Sequence, residues 1–335
     1  MDWLEMVVWI FLNLEAGKKK IPTNILEVLE EKLSSIDAAV FWGAFGCFNM
    51  VGSYQNRNLT IASSVQELVE QFSKDSKPNV IVGIGGDGTM NMIANAMINR
   101  SIEAPLMGIG VGTGNVGPLV RFNLQKLRDV DFAQLDFEFV GALEVVSKNK
   151  LGLAFVDVVV SRTFLGTLGG KRVDFDAVAY VKNGELRELK RVVRRVATRD
   201  FVIELNGRTV FKGNRGVKQI AVAPLYRSEF YVGKAATGML CYAHHTGRRA
   251  VVVLSDHPTI VARPRSPKKA VTIRQIVFGE GDVVAMKHLA PGNAIVLDGN
   301  PVSLADNGLT LRYHKKVAKA VVPPDGSFLP LSALQ

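Results

Sequence analysis

The stretch Asn79-Val80-Ile81-Val82-Gly83-Ile84-Gly85-Gly86-Asp87-Gly88-Thr89-Met90-Asn91 constrains the fold more than any other. It opens as a short apolar, β-branched run, which reads as a buried strand. It breaks at Gly85-Gly86-Asp87-Gly88-Thr89 and continues with Met90, Ile93, Ala94 and Met97 at helical spacing. Strand, glycine turn and helix in that order put the turn at the carboxyl end of a strand, where open α/β sheets bind ligands. Glycines let backbone N–H groups approach a phosphate, and a helix N-terminus favours negative charge. Asp87 is out of place in such a cradle unless it binds a metal or takes a proton from a hydroxyl. The plainer reading is a tight turn with Asp87 as the helix N-cap.

A second unit of the same kind follows. Pro105-Leu106-Met107-Gly108-Ile109-Gly110 reads as the next strand, and Val111-Gly112-Thr113-Gly114-Asn115 as its glycine turn. A βαβα pattern with right-handed crossover puts both turns on the same sheet edge. Asp87, Thr89, Thr113 and Asn115 then face one cleft. At this point the sequence resembles the superfamily of NAD kinases and diacylglycerol-type lipid kinases. Gly85 to Thr89 is similar to its GGDGT motif, and Gly112-Thr113-Gly114-Asn115 to the GTGN of the lipid-kinase branch. The resemblance is clear over residues 79–122. It implies an α/β domain followed by a β-rich one, with the site in the crevice between them.

The rest of the chain fits that plan. With 335 residues, two domains are expected. Strand and helix patterns alternate over residues 1–124: strands at Met6–Leu14, Ala38–Phe45 and Leu59–Ala62, helices at Ile25–Leu33 and Ser64–Phe72. This predicts a doubly wound parallel sheet. Residues 125–136 read as a charged connector. Over 137–323 short β-rich runs dominate, among them Phe139–Val146, Leu153–Ser161, Val173–Tyr180, Phe201–Leu205 and Ala294–Leu297. Turn signals such as Asn183-Gly184 and Asn206-Gly207 separate them. The expected fold class is therefore α/β plus all-β, the second domain a sandwich.

Net charge is +10, which suits polyanionic ligands. The basic run Glu185–Arg199 lacks interleaved aromatics, so a solvated edge strand is expected there and no nucleic-acid partner. Cys47 and Cys241 are far apart and lack metal spacing, which suggests a reducing cytoplasm. No uninterrupted apolar window of membrane-spanning length occurs. Peripheral membrane contact is expected only for a lipid acceptor; a homo-oligomer is compatible with the sequence. His244-His245 lacks further ligands at metal spacing, and Ser161, Ser228 and Ser255 lack a glycine elbow.

The resemblance implies a kinase that uses ATP or polyphosphate with Mg²⁺ and takes a nucleotide or dinucleotide substrate. Asp87 would be base or metal-linked carboxylate, two roles the sequence does not separate. Gly85, Gly86, Gly88, Gly112 and Gly114 would supply N–H groups. Thr89, Thr113 and Asn115 would add side-chain hydrogen bonds. Asn13 and Gly17-Lys18 are similar to the first turn of the lipid kinases, with Leu14 in place of a proline; Lys18 there is either a phosphate ligand or a solvated lysine. The Asn-Glu pair by which NAD kinases hold the dinucleotide aligns with Val156-Asp157, so the acid survives and the amide does not. Asp298-Gly299 resembles an Asp-Gly linked to metal organisation in lipid kinases, and equally reads as a hairpin turn. The first expectation is phosphorylation of NAD, with Asp157 binding substrate. The alternatives are a diacylglycerol- or sphingosine-type lipid kinase and a non-catalytic nucleotide sensor.

Overall fold

The computed structural model describes residues 6–16, 23–46, 58–111, 115–168, 171–189, 195–213, 216–225, 249–263, 269–306 and 308–326. Two compact units emerge: residues 1–140 with 316–335, and residues 141–315.

The first unit holds β1 (Met6–Asn13), α1 (Thr23–Ser34), β2 (Ala38–Phe45), β3 (Leu59–Ile61), α2 (Val65–Asp75), β4 (Val80–Gly85), α3 (Asp87–Asn99), β5 (Leu106–Gly110), β6 (Val120–Phe122) and α4 (Leu124–Arg128). Strand β7 (Phe137–Val146) leads out of it. Its strands lie in the order β3–β2–β1–β4–β5, all parallel. This is the doubly wound arrangement that the alternating pattern predicts. The order reverses between β1 and β4, and ligands of such sheets bind outside the carboxyl ends of the strands at that reversal. Burial on both faces explains the near-continuous apolar runs. In β1, Val8, Ile10 and Leu12 pack with α1 residues Ile25 and Leu29. Trp9 and Phe11 turn the other way and meet Phe72 of α2, each at 5.5 Å between ring centroids. Residues 125–136 are part of this unit: Leu127, Val130 and Phe132 are buried in its core.

The second unit continues with β8 (Lys150–Ala154), β9 (Val158–Ser161), β10 (Thr163–Leu168), β11 (Lys171–Asp176), α5 (Ala177–Asn183), β12 (Ala197–Leu205), β13 (Arg208–Lys212), β14 (Gln219–Pro224), β15 (Ala250–Ser255), β16 (Ile273–Phe278), β17 (Val283–Leu289), β18 (Ala294–Leu297), β19 (Asn300–Leu304) and β20 (Leu309–Val321). One antiparallel sheet runs β16–β15–β14–β9–β18–β19. The other runs β13–β12–β17–β20, with β7 joined to β20 and β8. Val158, Val160, Ile220, Val252 and Ile295 of the first sheet share one core with Phe201, Ile203, Val284 and Leu311 of the second. This is the expected β-sandwich. Strand β20 starts here and ends in the first unit, where Ala320 pairs with Leu106 of β5.

Two local expectations fail. Val173–Tyr180 is not one strand. It turns into α5 at Asp176, whose carboxylate caps the helix by accepting from Val178 and Ala179 N–H. Gly184 is the left-handed C-cap of that helix, at φ 70°, and not a hairpin turn. Asp176 is fully buried, and Arg162 and Arg187 both donate to its Oδ2. Burial pushes this carboxyl up, but the Ala179 N–H and the two guanidiniums outweigh that and hold it below its ordinary pKa. Arg187 of the basic run is thus half of an ion pair, and Glu188 bridges to Phe175. Residues 190–194 of that run lie outside the described residues. So do Cys47, Cys241, Gly17-Lys18, His244-His245 and Ser228.

The second failed expectation is Leu153–Ser161, which splits into β8 and β9 around Phe155–Asp157. The cause is Asp298, described below.

Candidate active site

Strand β4 ends at Gly85, and α3 begins at Asp87 with Gly86 as N-cap in extended conformation. Asp87 is therefore the first helical residue, and the capping role expected for it falls to a glycine without a side chain. Its carboxylate reaches across to the chain after the second glycine turn. Oδ2 accepts from Val116 N–H at 2.9 Å, and Oδ1 accepts from Gly117 N–H at 3.0 Å. These are charge-assisted bonds between one glycine turn and the other.

Asn115 strengthens the same junction. A Cβ built at Gly110 would meet Asn115 Nδ2 at 2.4 Å, and one built at Gly86 would meet Asn115 Oδ1 at 3.4 Å. The Asn115 side chain therefore lies between the end of β5 and the start of α3. The structure thus brings Asp87, Gly86 and Asn115 together; of the four residues expected to face one cleft, Thr89 is buried and Thr113 lies outside the described residues. Gly112, Thr113 and Gly114 lie outside the described residues.

The glycines differ in what they leave room for. At Gly85 a Cβ would collide with Thr89 at 2.4–2.6 Å, so internal packing excludes a side chain there. At Gly86 the φ of −114° suits any residue, and among the described residues the only near atom would be Asn115 Oδ1, at ordinary contact distance. Among the described residues, neither strain nor packing calls for glycine at 86; the use the sequence suggests for it is the approach of a phosphate to the backbone. Gly86→Val should therefore leave thermal stability within about 1 kcal/mol of wild type. Calorimetric ATP binding should fall at least ~10-fold, because the added side chain occupies the phosphate approach. Equal affinity in the variant would move the nucleotide elsewhere.

Thr89 is buried at 4% exposure, and its Oγ1 accepts from Asn13 Nδ2 at 2.7 Å. Asn13 Oδ1 in turn accepts from Glu15 N–H at 3.0 Å. The end of β1 is thereby tied to the first turn of α3, across the point where the strand order reverses. The sequence places Asn13 at the end of the first strand but gives no sign of its partner. Thr89 serves this tie; its hydroxyl is not turned to open solvent.

Asp157 and Asp298 belong to the second unit and are joined there. Asp298 and Gly299 form the two-residue turn between β18 and β19, with φ of 48° and 85°. The hairpin reading of Asp-Gly is therefore correct. The carboxylate does more. Oδ2 accepts from Phe155 N–H, and Oδ1 accepts from Val156 and Asp157 N–H, all at 2.8 Å. The Asp298 N–H also donates to the Asp157 carbonyl at 2.9 Å. These bonds take the backbone at 155–157 out of the sheet ladder, which splits the strand. They also fix the position of Asp157, itself 9% exposed. Among the described residues, no three His, Cys, Asp or Glu side chains gather as a metal site.

Against known proteins, residues 7–119 match the family model of the diacylglycerol kinase catalytic domain. An uncharacterised protein of Archaeoglobus fulgidus is 30% identical over 207 residues, 59% of this chain and 63% of that one. The chain thus spans less than two thirds of that relative's length. Among solved structures, a diacylglycerol kinase from Bacillus anthracis has the same fold at TM-score 0.53 and 9% identity, over 98% of this chain and all of that one. Yeast NADH kinase, solved with NADH, superposes at TM-score 0.52 and 14% identity, over 94% of this chain and 83% of that one. The family match is confined to residues 7–119, and the fold is the one seen in the NADH kinase and diacylglycerol kinase structures. What the solved structures share with this chain is the fold. Among the described residues, no helix is long and apolar enough to cross a membrane.

Proposed function

We propose that the chain transfers the terminal phosphoryl group of ATP to the hydroxyl of a lipid alcohol of the diacylglycerol class. The observation that carries the transfer is the Asp87 carboxylate, held by Val116 and Gly117 N–H at the uncapped start of α3. Phosphoryl transfer is mostly positioning and charge stabilisation. Gly86 and the first turn of α3 would receive the phosphates. The acceptor oxygen forms a bond to the γ-phosphorus as the bond to the bridging oxygen of ADP breaks. The hydroxyl proton passes to Asp87 in its role as base.

Mg²⁺ fits this donor set. In nucleotide sites it is usually held by one or two carboxylates together with substrate phosphates, and needs no all-protein cage. In its alternative role as metal-linked carboxylate Asp87 would hold the ion, which would supply charge neutralisation on the phosphates. Polyphosphate as donor would use the same elements.

The acceptor class rests on the family match over residues 7–119 and on Gly112 to Asn115. A second reading, NAD as acceptor, is favoured by Asp157. A carboxylate can take two O–H donors from a ribose, and here the Asp298 bonds fix the backbone that carries it. A panel with labelled ATP or polyphosphate against diacylglycerol in micelles, sphingoid base, inositol, NAD and NADH decides between them. Labelled lipid is the expected product. If NADP forms instead, Asp157→Ala should raise the KM for NAD by a factor matching about 1.5–3 kcal/mol and leave the KM for ATP nearly unchanged. Tight ATP binding with no turnover of any acceptor would identify a nucleotide sensor.

A further inference from the structure

Phe137 and Phe139 of β7 are exposed by 48% and 49%, unusual for two neighbouring phenylalanines on one strand face. Strand alternation turns both to the same side. The intervening Glu138 points the other way and is paired with the buried Arg121 at 2.6 Å. The charge of Glu138 is thus withdrawn from the aromatic face and paired, while Asp136, just before it, is exposed. On the aromatic face stand lysines from the neighbouring β20. Lys316 Nζ lies 5.3 Å from the Phe139 ring centroid, and Lys319 Nζ lies 5.2 Å and 5.9 Å from those of Phe137 and Phe139. All four residues belong to the first unit.

We infer that Phe137, Phe139, Lys316 and Lys319 form a docking surface for an anionic lipid bilayer. The chemistry is that of a water–hydrocarbon boundary. Aromatic rings settle below the headgroups, while lysine stems lie along apolar surface and carry the ammonium out to the phosphates. A nucleic acid fits less well. The ammonium groups cover the ring faces on which bases would stack, and the rings stand at 85° to each other, so they offer no common stacking plane. The net charge of +10 favours approach to an anionic surface. The surface does not depend on which acceptor the site phosphorylates.

Flotation of the full chain with vesicles tests this. One set is phosphatidylcholine alone; the other contains about one third phosphatidylglycerol, to give the negative surface potential that attracts lysines. Wild type should float with the anionic set only, and high salt should release it. Lys316→Gln with Lys319→Gln should lower the partition coefficient roughly 30-fold, about fivefold per lysine. Phe137→Ala with Phe139→Ala should lower it at least ~10-fold. Phe137, Phe139 and Lys316 are exposed and Lys319 is half-buried, so circular dichroism and kinase activity on a micellar or soluble acceptor should be unchanged. Absence of wild-type flotation, or undiminished flotation of both variants, would overturn the inference. So would binding of labelled single-stranded DNA that the variants lose while vesicle binding stays. If flotation behaves as expected but no lipid is phosphorylated, the acceptor assignment fails and the docking surface stands.

Discussion

Asp87→Asn should lower turnover by at least ~10² and leave a folded protein. Two effects act together. The amide cannot take the acceptor's proton. It also replaces one acceptor oxygen by an NH₂ group, which would face the N–H of Val116 or Gly117. The second effect displaces the chain that follows Gly112 to Gly114, so ATP affinity should fall as well. Stability should fall by about 1.5–3 kcal/mol, the usual worth of hydrogen bonds to a charged group. The two roles separate in the kinetics. Loss of the base alone lowers kcat with the KM for ATP unchanged; loss of the tie raises the KM for ATP. Turnover within a factor of a few of wild type would remove Asp87 from the chemistry, and intact stability would remove it from the tie.

Asp298→Ala should be the most destabilising of the substitutions considered, by about 3–5 kcal/mol in chemical denaturation. The carboxylate is 6% exposed and accepts from three backbone N–H groups of a segment whose side chains are themselves buried. Each buried donor left unsatisfied costs about 1–3 kcal/mol, and water entry recovers part of that. Asp298→Asn retains one acceptor oxygen and should cost less. The loss should be the same with Mg²⁺ or with a chelator, because the bonds are within the protein. A loss below about 1 kcal/mol, or one that appears only with Mg²⁺ present, would return Asp298 to a metal role.

Much of the first unit is legible in the sequence. Its apolar runs are long, its turns are marked by glycine, and strand and helix periods alternate cleanly. The strand–turn–helix around Gly85 to Thr89 needs no tertiary information to find. What the sequence hides are bonds between distant residues. Asp87 is visible as an odd carboxylate, but its partners are backbone groups that no side-chain pattern marks. Asp298 is visible as a hairpin turn, yet its acceptor role concerns a strand 143 residues earlier. That same bond breaks β8 from β9 where the apolar run alone reads as one strand. The helix α5 has local signals, Asp176 as N-cap and Gly184 as C-cap. The alternation Val173-Asp174-Phe175-Asp176 masks them.

The path of β20 bears on how the molecule can be made. The outer edge of β5 is shared: β6 pairs with it at Gly108 and Ile109, and β20 meets it at Leu106. The N-terminal 140 residues leave the ribosome without that second partner. At ~5–20 residues per second, the start of β5 waits on the order of ten seconds or more for Ala320. An open strand edge over such an interval invites pairing with another chain. Co-translational maturation of the first unit therefore ends only after the sandwich has been synthesised. A fragment cut at residue 140 is the wrong place to look for an independently folded first unit.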